Sequence, residues 1–240
     1  MSGHSKWSTI KRAKGLKDAK RGAIFTKLGK LITIAAREKG GDLYTNFSLR
    51  MAVDKAKSAN MPKDNIERAI KRGTGEIEGG QIEELIYEGI GPVNSQFILK
   101  ILTDNKNRSA SEIRHLFSEC GGSLGTVLWN FSKKGVIRIS TENIKKDPWE
   151  ELELELINAG ADDIIKEDEG VTIYTQIENL QKTKDFLENK NIKTESAEIE
   201  YIAREKQTIA EENKEKIEKF INELENNEDV SEYYNNISNI

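Results

Sequence analysis

Apolar residues recur at helical spacing through the first 75 residues and gather into short, dense runs beyond them. From Asp18 to about Glu38, the residues Ile24, Phe25, Leu28, Leu31, Ile32 and Ala35 form a 3.6-residue stripe. Lys20, Arg21, Lys27, Lys30 and Arg37 fall mostly off that stripe, and Gly40-Gly41 ends the predicted helix. A second helix is predicted from about Asn46 to Ala59, with Leu49, Val53 and Ala56 on one side. The stretch NMPKDNIERAIKRGTG predicts a third. Pro62 suits a first helical turn, where a missing N–H costs nothing. Asp64 and Glu67 complement the positive N-terminal end, Lys71 and Arg72 the C-terminal end, and Gly73 the position just after it. A small helical bundle ending near Gly75 is expected.

GTGEIEGG reads as a linker, after which the pattern changes. ELIYEGI and QFILKILTD predict strands separated by the turn residues Gly89, Gly91 and Pro92. A helix follows over NKNRSASEIRHLFSECGG, capped by Ser109 or Ser111 and stopped by Gly121-Gly122, and then a strand over TVLWNF. From Gly135 the chain reads strand, helix, strand, strand, helix, strand, the order of a ferredoxin-like split unit. A charged helix runs from after Arg204 to about Glu225, and DVSEYYNNI is expected to return as a strand. That last helix and strand need something to pack on, so they are expected to rejoin the region around residues 78–134. The expected fold class is α+β with three domains: a helical bundle over 1–77, an α/β middle domain over 78–134 plus 205–240, and an inserted ferredoxin-like βαββαβ domain over 135–204.

Composition sharpens this picture where charge is concerned. The 240 residues carry a formal net charge of −4, yet residues 1–75 hold 18 Lys/Arg against 6 Asp/Glu, while residues 76–240 hold 19 against 35. An excess of +12 at the front of an acidic chain points to a surface for a polyanion. The stretch GHSKWSTIKRAKGLKDAKRG has seven basic residues and one acid, and Trp7 adds an aromatic able to stack on a base or anchor the segment. The candidate nucleic-acid-binding residues are Lys6, Trp7, Lys11, Arg12, Lys14, Lys17, Lys20, Arg21, Lys27, Lys63, Arg68, Lys71 and Arg72. Their long side chains would reach phosphates, which supplies affinity but little sequence information.

Catalytic chemistry has little to work with. Two histidines, His4 and His115, and one cysteine, Cys120, are far apart, with no metal-ligand spacing, nucleophile elbow or phosphate loop. No catalytic residue, metal, cofactor or small-molecule substrate is expected. No run of about 18 apolar residues suggests a membrane span. The basic start lacks the apolar segment of a secretory signal, so Met1 reads as the start of a cytoplasmic protein.

Several stretches carry a more specific signal. GHSKW at 3–7, DAKRG with FTKL at 18–28, NMPKDNIERAIKRGTGE at 60–76, YEGIGP at 87–92, TDNKNR at 103–108 and GVI at 135–137 resemble the signature of the YebC family. The resemblance implies three domains, the third inserted in the second, and a non-enzymatic cytoplasmic or organellar protein. It also implies one of two roles. Bacterial members are described as DNA-binding regulators of transcription, and others resemble translation factors acting at the ribosome, including a mitochondrial translational activator of a cytochrome oxidase subunit. This chain departs from the family in placing Leu43 where a proline usually follows Gly-Gly-Asp, and VNSQ where a glycine-rich stretch follows YEGxGP. The expected function is a DNA-binding transcriptional regulatory protein, with a ribosome-associated factor on ribosomal RNA as the alternative and an interaction scaffold as a third reading.

Overall fold

The computed structural model describes residues 18–78, 80–144 and 149–239. The longer helices are α1 (Asp18–Lys39), α2 (Phe47–Ser58), α3 (Lys63–Gly73), α4 (Lys106–Glu119), α5 (Trp149–Ala159), α6 (Leu180–Asn189) and α7 (Glu211–Asn226). The strands are β1 (Glu83–Ile90), β2 (Gln96–Thr103), β3 (Ser123–Leu124), β4 (Phe131–Ser140), β5 (Ala161–Glu167), β6 (Gly170–Thr175), β7 (Ser196–Ala203) and β8 (Val230–Asn235). The fold is α+β, and the described residues form two compact units. One unit comprises the described residues up to Asn130 and again from Ala203; the other comprises those from Phe131 to Ile202.

In the first unit, α1 packs Leu28, Ile32 and Ala35 against Leu49, Val53 and Ala56 of α2 and Ile66 and Ala69 of α3. The buried Asn46 starts α2: its side chain accepts from the Leu49 N–H at 3.0 Å and donates to the carbonyls of Ala35 and Gly40 at 2.8 Å each. At the end of α2, Asn60 is left-handed (φ 58°) and the Met61 N–H returns to the Ala56 carbonyl, closing the helix. Two expected details of α3 change. Pro62 precedes the first helical residue instead of lying within the first turn. Gly73 is the last helical residue, and Gly75 (φ 81°) takes the left-handed position, with the Glu76 N–H bonded to the Lys71 carbonyl. Gly73 is needed for close approach: a Cβ there would run into the Thr33 carbonyl and the Ala36 side chain of α1.

The same unit holds an antiparallel sheet of order β3-β1-β2-β8, with Leu85 opposite Ile101 and Leu99 opposite Tyr233. One face carries a core of Phe97, Leu99 and Ile101 against Ile113 and Phe117 of α4 and Ile217, Phe220 and Leu224 of α7. The Phe97 and Phe117 rings meet Phe220 edge-on at 5.0 and 5.1 Å. Asn105 caps α4 by accepting from the Arg108 N–H at 3.1 Å. The expected cap Ser109 is instead buried inside the helix. TVLWNF is not a strand before Phe131. The N–H groups of Val127 and Leu128 both donate to the Glu88 carboxylate, at 2.8 and 2.7 Å, and the chain makes a tight turn over Leu128–Asn130. Asn130 then ties the two crossings of the chain. Its carbonyl accepts from the Arg204 N–H at 2.7 Å, and its side chain bonds the backbone of Glu205 and the side chain of Gln96. In the β1–β2 turn, Val93 and Asn94 hold left-handed backbone at φ 59° and 57°.

The second unit has the chain order β4-α5-β5-β6-α6-β7 and the sheet order β5-β6-β4-β7. Ile173 sits between Ile137 and Ile164 in register, and every residue of β6 is buried. Leu152, Leu156, Leu180 and Leu187 are the buried leucines of its two longer helices. Arg138 and Glu200, both buried, pair through two parallel hydrogen bonds of 2.5 and 3.0 Å.

Candidate nucleic-acid interface

The cations of the helical region separate according to which face of α1 they occupy. Besides its apolar stripe, α1 carries a second set at positions i, i+3, i+4 and i+7: Lys27, Lys30, Leu31 and Ile34. This face turns toward the sheet and α7. Ile34 clusters with Ile82 and Leu102, and Leu31 packs beside them. The Lys27 ammonium donates to the Glu225 carbonyl at 2.8 Å. Burial pulls its pKa down to about 8, against the opposing pull of Glu225. The Lys30 ammonium donates to the Leu102 carbonyl at 3.0 Å and to Asp229 at 2.9 Å.

Asp229 is the centre of this latch. Its carboxylate also accepts from Ser109 Oγ at 2.7 Å and Arg108 Nη2 at 2.9 Å. Burial alone would raise its pKa, but the hydrogen bonds from Ser109, Lys30 and Arg108 outweigh it and hold the value at about 2. Lys55 of α2 makes a similar bond to Glu232 of β8 at 2.6 Å. The basic helices are thus seated on the α/β part of their unit through charge neutralisation as well as apolar packing.

The opposite arrangement is found where α1 and α3 end. Gly73 sits against Thr33, Ala36 and Arg37, so the last turns of the two helices touch. Gly41, in the loop after α1, sits against Ile70 of α3 and Thr74 just beyond it. Arg37, Lys39, Lys71 and Arg72 therefore belong to one end of the helical region, and all four are exposed. Among the described residues, no carboxylate lies within ion-pair distance of any of them. The loop at this end also carries Tyr44, whose side chain is 90% exposed.

Of the residues expected from sequence, Lys71 and Arg72 belong to this end. Arg68 is exposed midway along α3. Lys63 is exposed at the far end of the same helix, roughly 12 Å away along its axis, within reach of Glu67 at 3.4 Å. Lys27 is directed at α7 and so stands apart from the exposed set. Lys20 and Arg21 fall in the first turn of α1. Lys6, Trp7, Lys11, Arg12, Lys14 and Lys17 lie outside the described residues. Arg37, Lys39 and Tyr44 were not among the expected site residues. Tyr44 could have been noticed as an aromatic in a turn-rich stretch, GGDLYTN, that belongs to no apolar stripe.

Elsewhere the polar chemistry is structural. His115 is 70% exposed and lies 3.2 Å from Glu119 one turn on. Cys120 ends α4, and burial raises its thiol pKa. Among the described residues no cluster of three or more His, Cys, Asp or Glu is arranged to hold a metal ion.

Comparison with known proteins finds similarity over nearly the whole length of the chain. Residues 5–76 match the TACO1/YebC protein N-terminal domain, and residues 82–237 match the TACO1/YebC second and third domain. A probable transcriptional regulatory protein of Thermoanaerobacter pseudethanolicus is 48% identical over 241 residues, covering 99% of this chain and 97% of that one. One from Thermotoga maritima is 48% identical over 239 residues, covering 98% and 93%. The crystal structure of a conserved hypothetical protein, Aq1575, from Aquifex aeolicus superposes with a TM-score of 0.81 at 40% identity, over 92% of this chain and 91% of that one. With identity at this level across both the basic helices and the two-sheet body, the chain belongs to the TACO1/YebC family.

Proposed function

We propose that this protein is a non-enzymatic, cytoplasmic regulator of gene expression that binds nucleic acid through the exposed basic end of its helical region. The observation that carries the reading is the group Arg37, Lys39, Lys71 and Arg72, brought to one end with no carboxylate within ion-pair distance among the described residues, while Lys30 and Lys55 pair with Asp229 and Glu232 and Lys27 is turned onto the Glu225 carbonyl. Like charges kept together in this way are stabilised by an approaching polyanion. The relatives' names favour regulation of transcription, hence duplex DNA, as the first reading. Translation regulation on ribosomal RNA is the second. It is favoured by the exposed Tyr44 beside those cations, a feature suited to an unpaired base. Among the described residues no helix is long and apolar enough to cross a membrane.

The three-domain division, at 1–77, 78–134 plus 205–240, and 135–204, is part of the proposal. Support for its inserted ferredoxin-like part comes from the sheet order β5-β6-β4-β7 with one of the longer helices, α5 and α6, after each of β4 and β6. The direct test is competition at physiological salt between purified ribosomes and mixed-sequence duplex DNA, matched by phosphate. Preference for duplex DNA that is lost in a Lys71→Glu, Arg72→Glu variant supports the first reading. Preference for ribosomes, lost in the same variant, replaces it with the second. Binding to neither removes both.

A further inference from the structure

We infer that Tyr44 is a stacking platform for an unpaired base of single-stranded RNA, with the neighbouring phosphates held by Arg37, Lys39, Lys71 and Arg72. This rests on the nucleic-acid reading above and sharpens it toward RNA. Exposure alone would not carry the point, because single exposed apolar residues are common on protein surfaces. Three further features do.

The first is rigidity. The loop that presents Tyr44 is only a few residues long and is braced at every step. The Asp42 carboxylate accepts from the Tyr44 N–H at 2.9 Å and from Thr45 Oγ1 at 3.2 Å, and the Asp42 carbonyl accepts from the Asn46 N–H at 2.9 Å. The wholly buried Asn46 clamps the carbonyls on both sides of the end of α1. A ring on a fixed backbone has only two side-chain torsions left to lose on stacking, so little of the stacking energy is spent on ordering.

The second is position. Through Gly41 the loop lies against Ile70 and Thr74, and through Gly73 the end of α3 lies against Arg37. The ring therefore shares one end of the helical region with the four exposed cations. α1 and α3 point their C-terminal, carbonyl-rich ends here, so these two helices offer phosphates no free backbone N–H groups. The exposed cationic side chains supply the positive charge at this end.

The third is the character of the local acids. Asp42 is occupied by its own loop, and Glu76 accepts from Thr74 Oγ1 at 2.8 Å, leaving Glu38 as an exposed acid in the last turn of α1. Such a surface suits a ligand with a neutral aromatic face at its centre and negative charges at its edges, which describes a nucleotide in a strand. A duplex would have to unstack a base at a cost of a few kcal/mol, whereas RNA loops and bulges present bases already free.

The test uses the full-length protein at fixed physiological salt, with fluorescence anisotropy on a mixed-sequence 12-nucleotide single-stranded RNA, the same sequence as single-stranded DNA, and a 12-base-pair DNA duplex. Tyr44→Ala is expected to weaken RNA binding by about 5- to 100-fold, the range of one base–aromatic stack. Tyr44→Phe, which keeps the ring, should bind as the parent does. The salt dependence should be unchanged in both, since no charge is removed, and duplex binding should not move. If Tyr44→Ala binds RNA as well as the parent while Lys71→Glu, Arg72→Glu weakens it, the platform is disproved and the nucleic-acid reading stands. Equal losses on single-stranded DNA, or a larger loss on the duplex, overturn the assignment to RNA. If the parent binds none of the three, the inference fails together with the reading beneath it.

Discussion

Lys27 and Arg37 are two cations on one helix with opposite fates. Lys27, with Lys30, is drawn against α7 and the sheet, where Glu225 and Asp229 receive them at 2.8 and 2.9 Å. Arg37, ten residues on, stands in solvent beside Lys39, Lys71 and Arg72. The difference shows that a basic run mixes two functions. Cations that find carboxylates and carbonyls of their own chain position the helices, and those that do not remain available to another polyanion.

The latched side should break hardest. Asp229→Ala removes the acceptor shared by the buried Ser109 hydroxyl, Lys30 and Arg108 and should cost about 1.5–3 kcal/mol, as loss of hydrogen bonds to a charged group does. Urea denaturation checks this, and a loss under 1 kcal/mol would mean that the latch is not what seats the helices. The same residue gives a pH dependence. Folded Asp229 titrates at about 2 against 3.8 for a free carboxylate. Its contribution is therefore full above pH 3.8 and is lost as the pH falls toward 2. The stability gap between the parent and Asp229→Asn should narrow across that window, and a gap that stays constant would contradict the assignment.

The open side should break in function alone. Lys71→Glu with Arg72→Glu is expected to lower duplex affinity at least about tenfold and to reduce the log–log salt slope by about 2, near 0.9 for each lost phosphate contact. Its stability should change by no more than about 0.5 kcal/mol, because both side chains are exposed. The smallest effect belongs to Lys27. Its folded pKa of about 8 lies below the ordinary 10.5, so below pH 8 the fold carries the cost of a buried charge. Lys27→Met should be slightly more stable than the parent at pH 7. That advantage should fade as the pH rises from 8 to 10.5, with nucleic-acid affinity unchanged throughout. A loss of affinity would return Lys27 to the binding surface.

Much of the local architecture could be read directly. The stripes of α1 to α3 and the dense Ile, Leu and Phe runs of β1 and β2 depend on side-chain periodicity, a property of neighbours in sequence. The misreadings came where a distant group decided. Ser109 looked like a cap but is buried against Asp229, 120 residues later. TVLWNF looked like a strand, but Glu88 captures its N–H groups and turns it. Lys27 looked like the other basic residues around it until its partner on α7 was known.

By itself, the sequence determined the helices and strands, the uneven charge and the family, because these depend on short-range spacing and on residue identity. Only the tertiary structure decided which cations are neutralised and which stay free, and that an ordinary-looking Tyr44 stands on a braced loop among the free ones. A lysine carries the same charge wherever it occurs. What it does depends on the dielectric and the partners around it, and here those arrive from as far as 199 residues away along the chain.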